Sequence, residues 1–406
     1  MKVVVTNAVV SNTGDAAIFA GIHASLTRQD IARAVDITLL DSNAARTASL
    51  YPHWNVLQQI SVAPPRRFMK ISRAFSRLRR GFAERLAKGS FAEALLQLPL
   101  FRRTQAARAY RALCDADLVI STGGTYLVDH YDFSHRAIEL ELAKRLGKQV
   151  ILWTQSVGPF ESERARRSIR RIVPTVEAAY FRDERSRDAW LRQGGDAERS
   201  FTAPDVAFAI DPGVETPSHT RSRVLISVRD WPHRGADDRP YEPSRYVDAM
   251  RTAAQTAANT GHEVVALSTC QGLPGYVDDS DYAQQVFDGL PVRVDTAFHT
   301  PEQLISELRR CRFVVTTRMH LAILAILTGV PVIAVAYEFK TQELFVGLGL
   351  GRFVVPIEDA TSAWMSAAVA DITADPGRAT LDEPRLKAAR DAALLPALHL
   401  AHHADV

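Results

Sequence analysis

The chain has 406 residues, 47% apolar and 23% charged, which is an ordinary globular composition with length enough for two domains. A formal net charge of +3 is too slight for bulk charge to call for nucleic acid. Cys114, Cys270 and Cys311 are scattered, with no metal or redox spacing, which suits a reducing cytoplasm.

The first residues, MKVVVTNAVV, carry one positive charge and run straight into a strand pattern. They lack the small-residue cleavage site of a signal peptide, so a soluble cytoplasmic protein is expected. Strand-like runs follow at 2–9, 36–40, 117–122, 149–157 and 178–183, and again at 223–230, 262–269, 313–317 and 331–337. Amphipathic helical stretches such as 133–147, 161–176, 244–260 and 301–311 lie between them. This alternation predicts α/β architecture, with parallel sheets covered by helices on both faces. The stretch 209–223, rich in Pro, Ser and Thr, separates the two series. The expected arrangement is two Rossmann-like, doubly wound domains facing a cleft. They span 1–210, with a basic helical insertion at about 60–112, and 221–375; a helical tail follows at 376–406.

Residues 66–88 break the pattern, with nine Lys or Arg against one acid, Glu84. Phe68, Ile71, Phe75, Leu78 and Phe82 step by three and four and share one helical face. Such a helix either packs its stripe on its own domain or lies on an anionic membrane surface, giving a peripheral location at the inner face. No recognised nucleic-acid module surrounds it.

Chemistry in a doubly wound fold sits at the carboxyl ends of strands. The first series offers Asn12, Gly14 and Asp15 after its first strand, Gly123 and Gly124 after the third, Gln155 and Ser156 in the fourth, and Arg182 and Asp183 after the fifth. Asp15 reads equally as a helix cap, and Arg182 with Asp183 reads as an internal ion pair. The second series offers Arg229, Thr269 and Gln271, then Thr317, Arg318 and His320. Arg318 and His320 stand where a β-branched strand meets an apolar helix. Unpartnered amides at such a helix start favour an anion, and the imidazole adds a group that can move a proton. Met319–Tyr337 contains no Lys, Arg, Asp or Glu, but Gly329 and Pro331 break it at its middle, so a buried helix and strand are expected rather than a membrane span. The competing reading makes Arg318 a structural ion-pair partner and His320 a core histidine. His399, His402 and His403 share a tail helix face and read as a solvated end, with no metal expected.

In their order, N-x-G-D (12–15), ISTGG (120–124), TQSVGP (154–159), FRDERS (181–186), APD (203–205), ISVRD (226–230) and R-M-H-L…TGVPVIAVAYEFK (318–340) resemble the polysaccharide pyruvyl transferase family. Thr125 stands where the family often has a third glycine, and residues 42–116 look peculiar to this chain. The resemblance implies a GT-B-like fold, phosphoenolpyruvate as co-substrate without a further cofactor, and transfer of a pyruvyl group to a sugar or glycolipid acceptor as a ketal. On that reading Arg229, Arg318, Thr317 and Gln271 would bind phosphoenolpyruvate, and His320 would be the acid. Asp15 would be a base or sugar ligand, while Asn12, Gly123, Gly124 and Gln155 would hold the acceptor. A nucleotide-sugar glycosyltransferase and a non-catalytic sugar- or anion-binding relative remain open, as does the oligomeric state.

Overall fold

The predicted parallel ladders form twice. A computed structural model describes residues 1–28, 34–61, 70–89, 92–213, 221–235, 239–272 and 277–404, the stretches 70–77 and 402–404 by backbone alone. The first sheet comprises β1 (Lys2–Ala8), β2 (Asp36–Asp41), β3 (Asn55–Gln58), β4 (Leu118–Ser121), β5 (Gly124–Leu127), β6 (Gln149–Val157), β7 (Ala178–Phe181) and β8 (Ser200–Thr202). Its order is β3-β2-β1-β4-β6-β7-β8, with β5 on β6. The second comprises β9 (Arg223–Ser227), β10 (Glu263–Ala266), β11 (Val292–Val294), β12 (Cys311–Thr316), β13 (Val332–Ala336) and β14 (Val354–Pro356), in the order β11-β10-β9-β12-β13-β14. Pairings such as β1 with β4 and β9 with β12 are parallel. In each sheet the strand order reverses beside the first strand, between β1 and β4 and between β9 and β12. Such a reversal leaves a crevice at the carboxyl ends, where ligands bind in open α/β sheets.

Two compact units result. One holds residues 1–11, 18–209 and 392–406; the other holds 12–17 and 210–391. The break at 209/210 falls within the stretch expected to separate the domains, of which 214–220 lie outside the described residues. Of the described residues, 392–404 belong with the first unit, so the tail is divided. His399 is accordingly no solvated end: its Nδ1 pairs with Tyr180 Oη at 2.9 Å, and its ring meets Phe201 edge-on. The side chains of His402 and His403 lie outside the described residues. The charge-free stretch is core as expected. In the helix Met319–Leu327 only His320 is incompletely buried, and all of β13 is buried. Among the described residues no helix is long and apolar enough to cross a membrane.

The basic segment forms the helix Lys70–Ala87. Residues 66–69 and the side chains of Ile71, Phe75 and Arg77 lie outside the described residues. Where it is described, the helix turns inward: Ala83 and Leu86 are buried, and Phe82 packs against the core. Leu78, of the same stripe, is 68% exposed. Arg79 donates to the carbonyls of Gln59 and Ile60, and Arg80 to Glu84 and Ser134. A buried carboxylate explains this docking. Glu139, in the helix Arg136–Arg145, accepts the Thr6 hydroxyl and the N–H groups of Ile60 (2.6 Å) and Ser61 (3.3 Å). Burial pushes its carboxyl up, and the charge of nearby Arg79 opposes this. Arg79 and Arg80 are therefore spent partly inside the protein.

His135 caps the same helix without a side-chain cap bond. Burial pushes its imidazole down to about 4, with Arg136 and Arg80 adding repulsion and Asp132 opposing them. The unfolded chain protonates His135 near pH 6.5, before the folded chain does. Its contribution is therefore complete above that pH and falls as pH drops from about 6.5 to about 4, by up to about 3 kcal/mol. Urea unfolding at pH 7 and pH 5 should show a loss in wild type that shrinks by about 2 kcal/mol in His135→Gln. An equal loss in both proteins would remove His135 as the cause.

Candidate active site

In the second unit, the carboxyl ends of β9, β10 and β12 bring Arg229, Gln271, Thr317, Arg318 and His320 onto one edge, together with Asn12–Asp15. Ladder chemistry continues past the strands. Thr317 donates its N–H (3.2 Å) and its hydroxyl (3.3 Å) to the Ser227 carbonyl, which joins the ends of β9 and β12 at the reversal point.

Arg229 follows Ser227 by two residues. Its guanidinium carbon lies 4.7 Å from the Trp231 ring centre and 4.4 Å from that of Tyr337, and Nη1 donates to Tyr337 Oη. The aromatic contacts fix the side chain and attract its charge without neutralising it. Its Nε is buried and makes no hydrogen bond among the described residues. Its own N–H donates to Tyr246 Oη (3.1 Å), and burial pushes the Tyr246 phenol up, so that residue remains a neutral donor and acceptor. Lys340 sits 5.9 Å from the Tyr337 ring and pairs with Glu338 at 2.7 Å. Trp231, Tyr337 and Tyr246 were not legible as site residues, although Trp231 directly follows ISVRD (226–230) and Tyr337 lies within the motif at 318–340.

Arg318, expected either to bind phosphoenolpyruvate or to form a structural ion pair, is engaged inside the fold. Its Nε (2.7 Å) and Nη2 both donate to the buried carboxylate of Asp279, which also accepts the Ser268 hydroxyl. Burial pulls the guanidinium down, but the Asp279 charge and hydrogen bonds, with Cys270 and Tyr337 adding to them, together raise it further above its usual range. The structural ion pair was one of the two readings left open, but its partner lies 39 residues away in sequence. Gln271 and Thr317 are likewise engaged inside the fold. Gln271 Oε1 accepts the Ser268 N–H at 2.8 Å, and Nε2 donates to the carbonyls of Asp295 and Ala297. These three residues shape the edge, while Arg229 presents charge at it.

His320 lies in the first turn of the helix Met319–Leu327, whose N-cap Arg318 makes no side-chain cap bond. The leading N–H groups of such a helix, with the dipole behind them, suit an anion. The residue is partly exposed, its ring Nε2 is buried, and its Nδ1 faces the segment Asn12–Asp15. That segment is pinned by Thr13, whose N–H donates to Thr269 O (3.0 Å) and whose hydroxyl donates to His299 O (2.6 Å). Asn12 Oδ1 accepts the Gly14 N–H at 2.8 Å, a local cap. A Cβ at Gly14 would stand 2.7 Å from His320 Nδ1, so only glycine allows the ring its position. Asp15, next along, is partly exposed in the first turn of Thr13–Thr27.

The first unit carries the remaining predicted positions at the carboxyl edge of its own sheet. Gly123 packs against backbone: an added Cβ would lie 2.8 Å from Trp153 O. Gly124 opens β5 with φ 138°. Gln155 Nε2 donates to Thr122 O and to Tyr126 Oη (2.8 Å), so this amide is committed within the fold. Asn7 (φ 63°) and Thr154 (φ 43°) hold left-handed backbone on the same sheet, a strain that concentrates at functional edges. Arg182 pairs with Asp205 at 2.8 Å rather than with its neighbour, and Asp183 instead caps the helix Glu184–Leu191 through Ser186 N–H. Chain neighbours at a strand end point apart, which separates that expected pair.

Each unit is thus a Rossmann-like α/β domain, as in the GT-B-like fold class, and the edge bearing Arg229 and His320 belongs to the second. The chain aligns with HepE of Anabaena in complex with UDP and glucose over 100% of its length and 99% of that protein, with a TM-score of 0.58 at 14% identity. It also aligns with a UDP-GlcNAc 2-epimerase of Methanocaldococcus jannaschii over 91% and 92%, with a TM-score of 0.51 at 9% identity. Residues 12–338 match the polysaccharide pyruvyl transferase family, and the chain belongs to it. It is 27% identical over 396 residues to the amylovoran biosynthesis protein AmsJ of Erwinia amylovora, covering 88% of each chain.

Proposed function

We propose that this protein transfers a pyruvyl group from phosphoenolpyruvate to a sugar of an exopolysaccharide or its glycolipid precursor, forming a ketal and releasing phosphate. The observation that carries the proposal is Arg229, clasped by Trp231 and Tyr337 beside the uncapped helix start that bears His320. The family and the AmsJ relative support the exopolysaccharide setting. A donor with both a phosphate and a carboxylate suits one guanidinium plus a row of backbone amides.

The chemistry balances with groups of this edge. His320 gives a proton to the donor's methylene carbon, which becomes a methyl group and leaves an electrophilic carbon. One sugar hydroxyl adds there and loses its proton, with Asp15 the proposed base. Phosphate then leaves, a second hydroxyl adds, and its proton balances the phosphate. Arg318 and Asp279 hold the helix start in place, and no redox step enters.

Calorimetric titration with phosphoenolpyruvate, inorganic phosphate, UDP and GDP tests the donor. Phosphoenolpyruvate should bind selectively, and Arg229→Ala should weaken it about tenfold to a hundredfold, as expected for lost charge-assisted hydrogen bonds. Tight UDP or GDP binding without phosphoenolpyruvate binding would replace this reading with a nucleotide-sugar transferase.

A further inference from the structure

One surface of the first unit is left unused by this chemistry. Between the helices Ala92–Gln97 and Gln105–Asp115 the chain makes the turn Leu98-Pro99-Leu100-Phe101-Arg102-Arg103. The turn is well held. Phe101 N–H and Arg102 N–H both donate to Leu98 O, Thr104 N–H donates to Phe101 O, and the Thr104 hydroxyl caps the second helix. Yet Leu98 is 47% exposed, Leu100 82% and Phe101 38%, with Arg102 and Arg103 exposed beside them. A lone exposed leucine needs no explanation, but three large apolar groups on one braced turn do.

Charge identifies what they meet. Residues 70–111 carry eleven Lys or Arg against two acids, whereas the rest of the chain carries 38 against 44. Both acids are already paired, Glu84 with Arg80 and Glu93 with Arg145. Arg85, Lys88, Arg102, Arg103 and Arg108 are exposed in this insertion. The positive charge is thus concentrated in one segment of an otherwise acidic chain, around an apolar tip.

We propose that the turn Leu98–Arg103 docks the protein on an anionic phospholipid surface. Leu100 and Phe101 enter the headgroup boundary, and Arg102 and Arg103 meet lipid phosphates. This moves the membrane contact from the face of the helix Lys70–Ala87, whose Arg79 and Arg80 are spent internally, to the next turn of the insertion. The inference does not rest on the donor chemistry, and its test reads lipid rather than turnover.

The experiment is flotation of the full chain with phosphatidylcholine vesicles, with and without phosphatidylglycerol, at low and high salt. Wild type should bind only the anionic vesicles, and less at high salt. Leu100→Glu/Phe101→Glu and, separately, Arg102→Glu/Arg103→Glu should each raise the lipid needed for half-binding at least about tenfold. Unchanged melting temperatures would show that both variants fold. Absence of wild-type binding, or equal binding by folded variants, overturns the proposal. So would light scattering showing a wild-type dimer that Leu100→Glu/Phe101→Glu converts to a monomer, because the tip would then be a self-interface.

Discussion

Arg318→Ala should cost about 3–5 kcal/mol of stability, because it leaves the Asp279 carboxylate buried without its cation. Asp279 is 3% exposed, and Arg318 supplies two of its hydrogen bonds. The remaining partner, the Ser268 hydroxyl, offers one neutral donor for a full charge. The damage should spread along the edge, since Ser268 N–H also holds Gln271 and Gln271 holds the 295–297 loop. Urea unfolding measures the loss directly. The double variant Arg318→Met/Asp279→Leu should recover much of it, because removing both charges removes the desolvation penalty. If Arg318→Ala unfolds at the wild-type urea concentration and loses only phosphoenolpyruvate affinity, Arg318 is a donor anchor and not a strut.

His320→Ala should lower kcat by at least about a hundredfold while changing phosphoenolpyruvate affinity less than about tenfold, since a proton donor acts chiefly in the transition state. His320 is a partly exposed residue in the first turn of its helix, so its loss should leave the fold intact. Gly14→Ala supplies a second route to the same effect. It keeps the imidazole but pushes a methyl group to 2.7 Å from Nδ1, which must turn the ring out of place. Both variants should bind donor and fail to turn it over. Full activity in His320→Ala would assign the acid elsewhere.

Much of the edge was legible because it depends on local pattern. A β-branched run, a polar strand end and an apolar helix in succession mark β12, Arg318–His320 and the helix behind them, whatever the rest of the chain does. The shorter strands β3, β5, β8, β11 and β14 were not legible. Segments such as NVLQ, GTYL and SFT are too short for a period to register, and they become strands by pairing with neighbours already in place.

The sequence by itself determined the α/β class and the chemical groups that end each strand, because periodicity and composition act over a few residues at a time. Only the tertiary structure decided how those groups are used. Arg318 and Arg229 look alike in sequence, each an arginine at a strand end. One is closed on Asp279, 39 residues distant, and the other is framed by Tyr337, 108 residues distant. A guanidinium's role depends on whether a carboxylate or an aromatic face reaches it first, and that is settled by which strands lie side by side.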